Sequence, residues 1–151
     1  NIDPKLDFIE LVDYVPYWVL WKGHPLENKN ELTKDDVINS GISFSDEDIT
    51  MNSLKAFIED NNIKSTFCIN KCGLDIQKDM IKNKLGICLI FSIFLKDDDK
   101  KYFIFKNASN LFPIGKSGCF INKTCKKVVD KFVEGLVAEK QKLFNFNFLV
   151  N

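Results

Sequence analysis

Hydrophobic and polar positions follow two different periods along this chain, and each change of period marks an element. From Pro4 to Val12 the apolar residues Leu6, Ile9 and Leu11 recur among charged ones, which predicts a short helix. That helix ends ahead of Pro16, because the residue before a proline is pushed out of the helical region. Tyr17 to Trp21 is an unbroken apolar and aromatic run and predicts a strand. Gly23 to Asn30 is turn-rich, Glu31 to Ser40 is a polar excursion, and a second strand is expected near Gly41 to Phe44. Thr50 to Asn61 reads as a helix with Leu54, Phe57 and Ile58 on its apolar face, capped by Ser45 or Thr50 and ended by Asn61-Asn62.

The second half restarts with a strand at Ser65 to Asn70, a helix at Leu74 to Lys82 and a strand at Leu85 to Leu95, a β-α-β pattern. The last of these is too short to cross a membrane, which takes about 20 residues, and predicts a buried strand in the middle of a mixed sheet. Asp97-Asp-Asp-Lys-Lys101 is a polar turn without the liganding pattern of a calcium loop. A strand at Tyr102 to Lys106 and a loop through Pro113-Ile-Gly115 and Gly118 follow. Thr124 to Lys142 predicts an amphipathic helix with Val128, Val129, Phe132, Val133, Leu136 and Val137 inward. Leu143 to Val150 closes the chain as a strand beside Leu85–Leu95, with Phe144, Phe146 and Phe148 on one face.

Composition narrows the partners. The 151 residues are 45% hydrophobic and 13% aromatic, enough for a packed core. All 21 basic residues are lysine, balanced by 21 acidic ones, so neither a nucleic-acid platform nor a polybasic membrane surface is implied. The five cysteines, Cys68, Cys72, Cys88, Cys119 and Cys125, lack paired CxxC spacing, and with a single histidine they call for neither a metal centre nor a cofactor. Cys119 and Cys125 flank the start of the last helix and form the candidate disulfide; Cys88, inside the most apolar run, is expected to be inert. His24 precedes Pro25 in a turn and is expected at the surface. The triplets Asn107-Ala-Ser109 and Asn122-Lys-Thr124 match glycosylation acceptors, a feature of secretory proteins.

The segment Asp13-Tyr-Val-Pro16-Tyr-Trp-Val-Leu-Trp-Lys-Gly23 resembles the part of a thioredoxin fold in which a cis-proline precedes the fourth strand. The seam Leu54-Lys-Ala-Phe57-Ile58-Glu-Asp-Asn61-Asn62-Ile63-Lys64 is similar to the junction between adjacent domains of the protein disulfide isomerase family. The resemblance implies an α/β fold, a thioredoxin-like mixed sheet flanked by helices with a β-hairpin insertion, and places Pro16 at the cis-proline. Residues 1–61 then correspond to the C-terminal half of such a domain and 62–151 to the N-terminal half of another, whether as a tandem fragment, a permuted domain or a discontinuous one. The first helix begins at Cys72-Gly73, but Asp75 stands where the family has its resolving cysteine, so no dithiol cycle can be completed.

What the resemblance implies is a non-catalytic, substrate-binding segment of a folding factor in the endoplasmic reticulum. It would hold unfolded polypeptide in an apolar groove of Ile76, Met80, Ile81, Phe91 and Phe94, joined to other domains of a longer chain. The alternatives are a monothiol oxidoreductase using Cys72, and a non-redox α/β interaction scaffold whose docking surface is Tyr102 to Lys142.

Overall fold

The computed structural model describes residues 3–45, 52–70 and 72–143. In chain order the elements are β1 (Leu6–Tyr14), β2 (Pro16–Trp21), α1 (Lys34–Ser40), β3 (Ile42–Ser45), α2 (Asn52–Asp60), β4 (Thr66–Ile69), α3 (Leu74–Lys82), β5 (Cys88–Phe91), β6 (Phe103–Asn107), β7 (Gly115–Asn122) and α4 (Lys126–Leu143). The fold is α/β, with mixed sheet flanked by helices, and the described chain forms two compact units. One contains the residues up to Tyr14 and those from Ile114 onward; the other is Val15–Pro113. The seam expected at Asn61–Asn62 therefore lies inside the second unit.

The first unit is an antiparallel ribbon of β1 and β7 with α4 packed against it. Of Pro4 to Val12, expected as a helix, Leu6 onward is extended because Leu6 pairs with Asn122 and Phe8 with Phe120, contacts more than a hundred residues apart. A bulge at Leu11, between Glu10 and Val12, breaks the strict alternation, so the apolar spacing along β1 imitates a helical period. The segment around Gly115 and Gly118, expected as a loop, is β7. Gly118 lies opposite Glu10 at the bulge, where a Cβ would collide with the Ile9 carbonyl oxygen, so it serves close backbone approach and not a turn. The Phe8 and Phe120 rings meet at 5.0 Å on an exposed face, while Ile121 points to the buried side. On α4, Val129, Val133 and Leu136 are half-buried as expected, but Phe132 and Val137 face solvent. The side chain of Val128 and the strand expected from Leu143 to Val150 fall outside the described residues, except that Leu143 itself ends α4.

The second unit is built on β2, which runs antiparallel between β5 and β6. Trp18, Val19 and Leu20 are fully buried, which explains why the strand reads as a continuous apolar run and not an alternating one. β5 and β6 are thus not hairpin partners. The parallel pair β3–β4 joins this sheet through a parallel bridge at Ile42 and Ile87, with Ser43 N–H on the Ile87 carbonyl at 2.9 Å and Ile87 N–H on the Gly41 carbonyl at 3.0 Å. The strands therefore succeed one another as β4, β3, β5, β2, β6, so the expected middle strand is in place but shorter, Cys88–Phe91. Gly86 makes the bridge with φ at 128°; a Cβ there would stand 2.9 Å from Ser43 Oγ and 3.0 Å from the Gly41 carbonyl oxygen.

No peptide bond among the described residues is cis, so Val15–Pro16 is trans and the cis-proline expected at Pro16 is not present. Pro16 instead begins β2 opposite Phe91, where a missing N–H is tolerated, and its carbonyl accepts the Ala108 N–H at 2.9 Å. The polar excursion before β3 contains α1, whose signal was the capping box Thr33-x-x-Asp36 ahead of the buried Val37. Bonds from the Lys29 ammonium and from Thr33 hold the Asp36 carboxyl down at about 2. The two glycosylation-like triplets are local turns: Asn107 Oδ1 accepts the Ser109 N–H at 2.8 Å and Asn122 Oδ1 the Thr124 N–H at 3.0 Å.

The turn Asp97–Lys101 is a 3-10 helix fastened to α3 by one ion pair. Lys78 Nζ lies 2.7 Å from Asp99 Oδ2, which also accepts the Lys96 N–H at 2.8 Å, and the two side chains are only 10% and 12% exposed. Removing one partner leaves the other charge stranded, so Asp99→Ala should cost about 3 kcal/mol in urea denaturation, whereas the apolar pair Lys78→Met with Asp99→Leu should recover most of that loss. In the first unit, Gly118→Ala should open the ribbon at its bulge. The expected readout is faster amide exchange at Ile9 and Val12 with exchange in β2 unchanged.

Candidate functional site

β3, α2 and β4 form a β-α-β unit, and α3 follows β4 directly, so the parallel strands end on the side where the next helices begin. Ser45 ends β3 opposite Ile69, which ends β4. From these ends the chain passes to α2 at Asn52 and to α3 at Leu74. In open α/β sheets this carboxyl edge is where ligands settle, because strand ends and helix amino termini present backbone N–H groups there.

The edge is polar where the sheet beneath it is apolar. Ser45 and Ser43 are buried, at 3% and 1% exposure, and Ser43 Oγ donates to the Leu85 carbonyl at 2.7 Å. The amino-terminal cap of α3 is Gly73, which offers no side-chain bond to the first turn. No side chain caps α3, whose Ile76 and Gln77 N–H groups donate to the Gly73 carbonyl at 3.1 and 3.3 Å, and Asp75 is the acidic residue of its first turn. Among the described residues no three His, Cys, Asp or Glu side chains gather to hold a metal ion.

The structure separates the residues expected to form an apolar groove. Met80, Ile81 and Phe91 are core residues, while Ile76, on α3, and Phe94, in the 3-10 turn Ser92–Phe94, are exposed. Cys72 sits, as expected, just ahead of α3 and is half-buried. Cys88 is buried in β5, where desolvation, with a smaller contribution from Cys72, pushes its thiol well above the ordinary thiol range. Cys119 carries a free thiol on β7, and the side chain of its expected partner Cys125 lies outside the described ones. Reading by thiols pointed to Cys72, but Ser45, Ile69 and Asn70 define the edge. Their signal was the β-α-β order itself, which places strand ends and helix starts together.

No protein-family model and no curated protein matches the chain. Solved structures do. The regulatory domain of MetR, a LysR family regulator from N. meningitidis, superposes with a TM-score of 0.69 at 18% identity, over 95% of this chain and 67% of that one. The reduced form of the OxyR regulatory domain from Pseudomonas aeruginosa gives 0.70 at 10% identity, over 94% and 68%. An OxyR mutant from Corynebacterium glutamicum gives 0.69 at 14% identity, over 95% of this chain but 45% of its own length, so this chain spans less than half of that protein.

These matches overturn the resemblance to the protein disulfide isomerase family. With it fall the folding-factor and unfolded-polypeptide readings, the monothiol and scaffold alternatives, and the endoplasmic reticulum location, all of which lack a counterpart in the matched fold. Among the described residues no helix is long and apolar enough to cross a membrane. The fold of this chain is thus similar to that of LysR-family regulatory domains over nearly its whole length.

Proposed function

We propose that this chain is a regulatory module of a LysR-type transcriptional regulator, and that it responds to a small polar molecule held at the carboxyl edge of β3 and β4. The observation that carries this reading is the match to regulatory domains over nearly the whole chain. The edge supports it locally: the buried Ser45 stands opposite Ile69 at the end of β4, and α3 begins a few residues on without a capping side chain. Because Asp75 already places negative charge in the first turn of α3, the edge suits a neutral or zwitterionic molecule better than a dianion. One matched structure, a Corynebacterium glutamicum OxyR mutant, is described as bound to hydrogen peroxide, a small neutral polar molecule.

Thermal denaturation against a panel of amino acids, small hydroxy and keto acids and hydrogen peroxide tests the reading. One chemical class should raise the melting temperature, with stabilisation approaching about 2.7 kcal/mol at a hundred times its Kd. Ser45→Ala should weaken that binding at least tenfold while leaving the unliganded melting temperature within a few degrees. A panel without effect, or binding indifferent to Ser45, would remove the proposed edge.

A further inference from the structure

We propose that His24 is a pH-operated latch on the loop between β2 and α1, closed when its imidazole is neutral and released when it is protonated. This inference is independent of the regulatory reading. His24 is the only histidine of the chain and, contrary to the surface position expected for it, is 5% exposed. Its ring stands edge-on to Trp21 with centroids 4.3 Å apart. Its Nδ1 accepts the Leu26 N–H at 3.1 Å, the same two-residue bridge that an Asn or Asp side chain makes in an Asx turn.

That bridge lies among the bonds that shape the loop. His24 N–H donates to the Trp21 carbonyl at 3.2 Å, Glu27 N–H to the His24 carbonyl at 2.8 Å, and Lys29 N–H to the Leu26 carbonyl at 3.1 Å. Lys106 Nζ, on β6, donates to the Glu27 carbonyl at 2.7 Å, and Asn110 Nδ2, in the turn after β6, donates to the Leu32 carbonyl at 3.0 Å. The loop then delivers Thr33 to the capping box of α1.

A neutral imidazole can accept at one nitrogen, whereas an imidazolium donates at both. On protonation, Nδ1–H would face the Leu26 N–H, and the bridge must break. The charged groups of the surrounding elements have other engagements: the Glu27 carboxylate accepts the Gly23 N–H at 2.6 Å, the Lys29 ammonium pairs with Asp36 at 2.6 Å, and the Lys106 ammonium holds the Glu27 carbonyl. Lys22 next to Gly23 adds a further positive charge to the loop. Burial lowers the His24 pKa from its ordinary value, so the opened loop takes up a proton more readily than the closed one. The latch is therefore fully closed above about pH 6.5 and is lost as pH falls through the lowered value.

Imidazole NMR of the full chain should show one resonance titrating below 6.5, with Leu26 amide exchange and Trp21 fluorescence changing at the same midpoint. His24→Asn restores the acceptor through an Asx turn and removes the titration, so Leu26 should stay protected from pH 5 to 8. His24→Phe keeps the ring against Trp21 but has no acceptor, so Leu26 exchange should be at least tenfold faster than in the parent at pH 8, with a protection factor that does not change with pH. An imidazole that titrates at or above 6.5, Leu26 protection that ignores the titration, or an unchanged acid transition in His24→Asn would each overturn the latch.

Discussion

The second unit depends on one constraint, that β2 must be covered on both faces and paired along both edges. Its Trp18, Val19 and Leu20 have no exposed surface, and fully burying each such side chain contributes roughly 1.5–3 kcal/mol. A strand of that kind cannot sit at an edge. β5 and β6 therefore flank it, and α3 packs on the sheet it anchors, although β5 and β6 are successive strands that could otherwise have formed a hairpin. The Trp18 ring continues this core into an aromatic series, meeting Phe112, which in turn meets Phe57 of α2.

Polar groups taken into this core are mostly answered. Ser43 is bonded to the Leu85 carbonyl, and Lys78 and Asp99 neutralise each other while tying the 3-10 turn to α3. Trp18 Nε1 and Ser109 Oγ find no partner among the described residues, at a cost of about 1–3 kcal/mol each for an unmade bond. The bulk of the Trp18 ring at the centre of β2 outweighs the loss at one nitrogen.

The chemistry of the chain follows from what its core leaves at the surface. Thiols, the reactive groups most conspicuous in the sequence, are divided by the fold: Cys88 disappears into β5 while Cys68 stays exposed on β4. Serine and backbone groups collect instead at the ends of the parallel strands. What such an edge offers a neighbour is hydrogen bonding and shape, not a nucleophile.

Local pattern by itself determined β2, β3, β4, α2, α3 and α4, because each is specified by neighbours within a few residues: a continuous apolar run or an apolar stripe at helical spacing. It could also exclude a membrane-spanning helix in the run Leu85–Leu95 and show that Cys72 stands at the start of a helix. Only the tertiary structure decided β1 and β7, since their pairing joins residues more than a hundred positions apart and a bulge at Leu11 disguises the alternation. It also decided that Gly115 and Gly118 serve a strand, that Pro16 opens β2 through a trans bond, and that Met80, Ile81 and Phe91 belong to the core. The carboxyl edge was legible only in outline, as a β-α-β order. Which side chains share that edge depends on strand register, and register is set by contacts between distant segments.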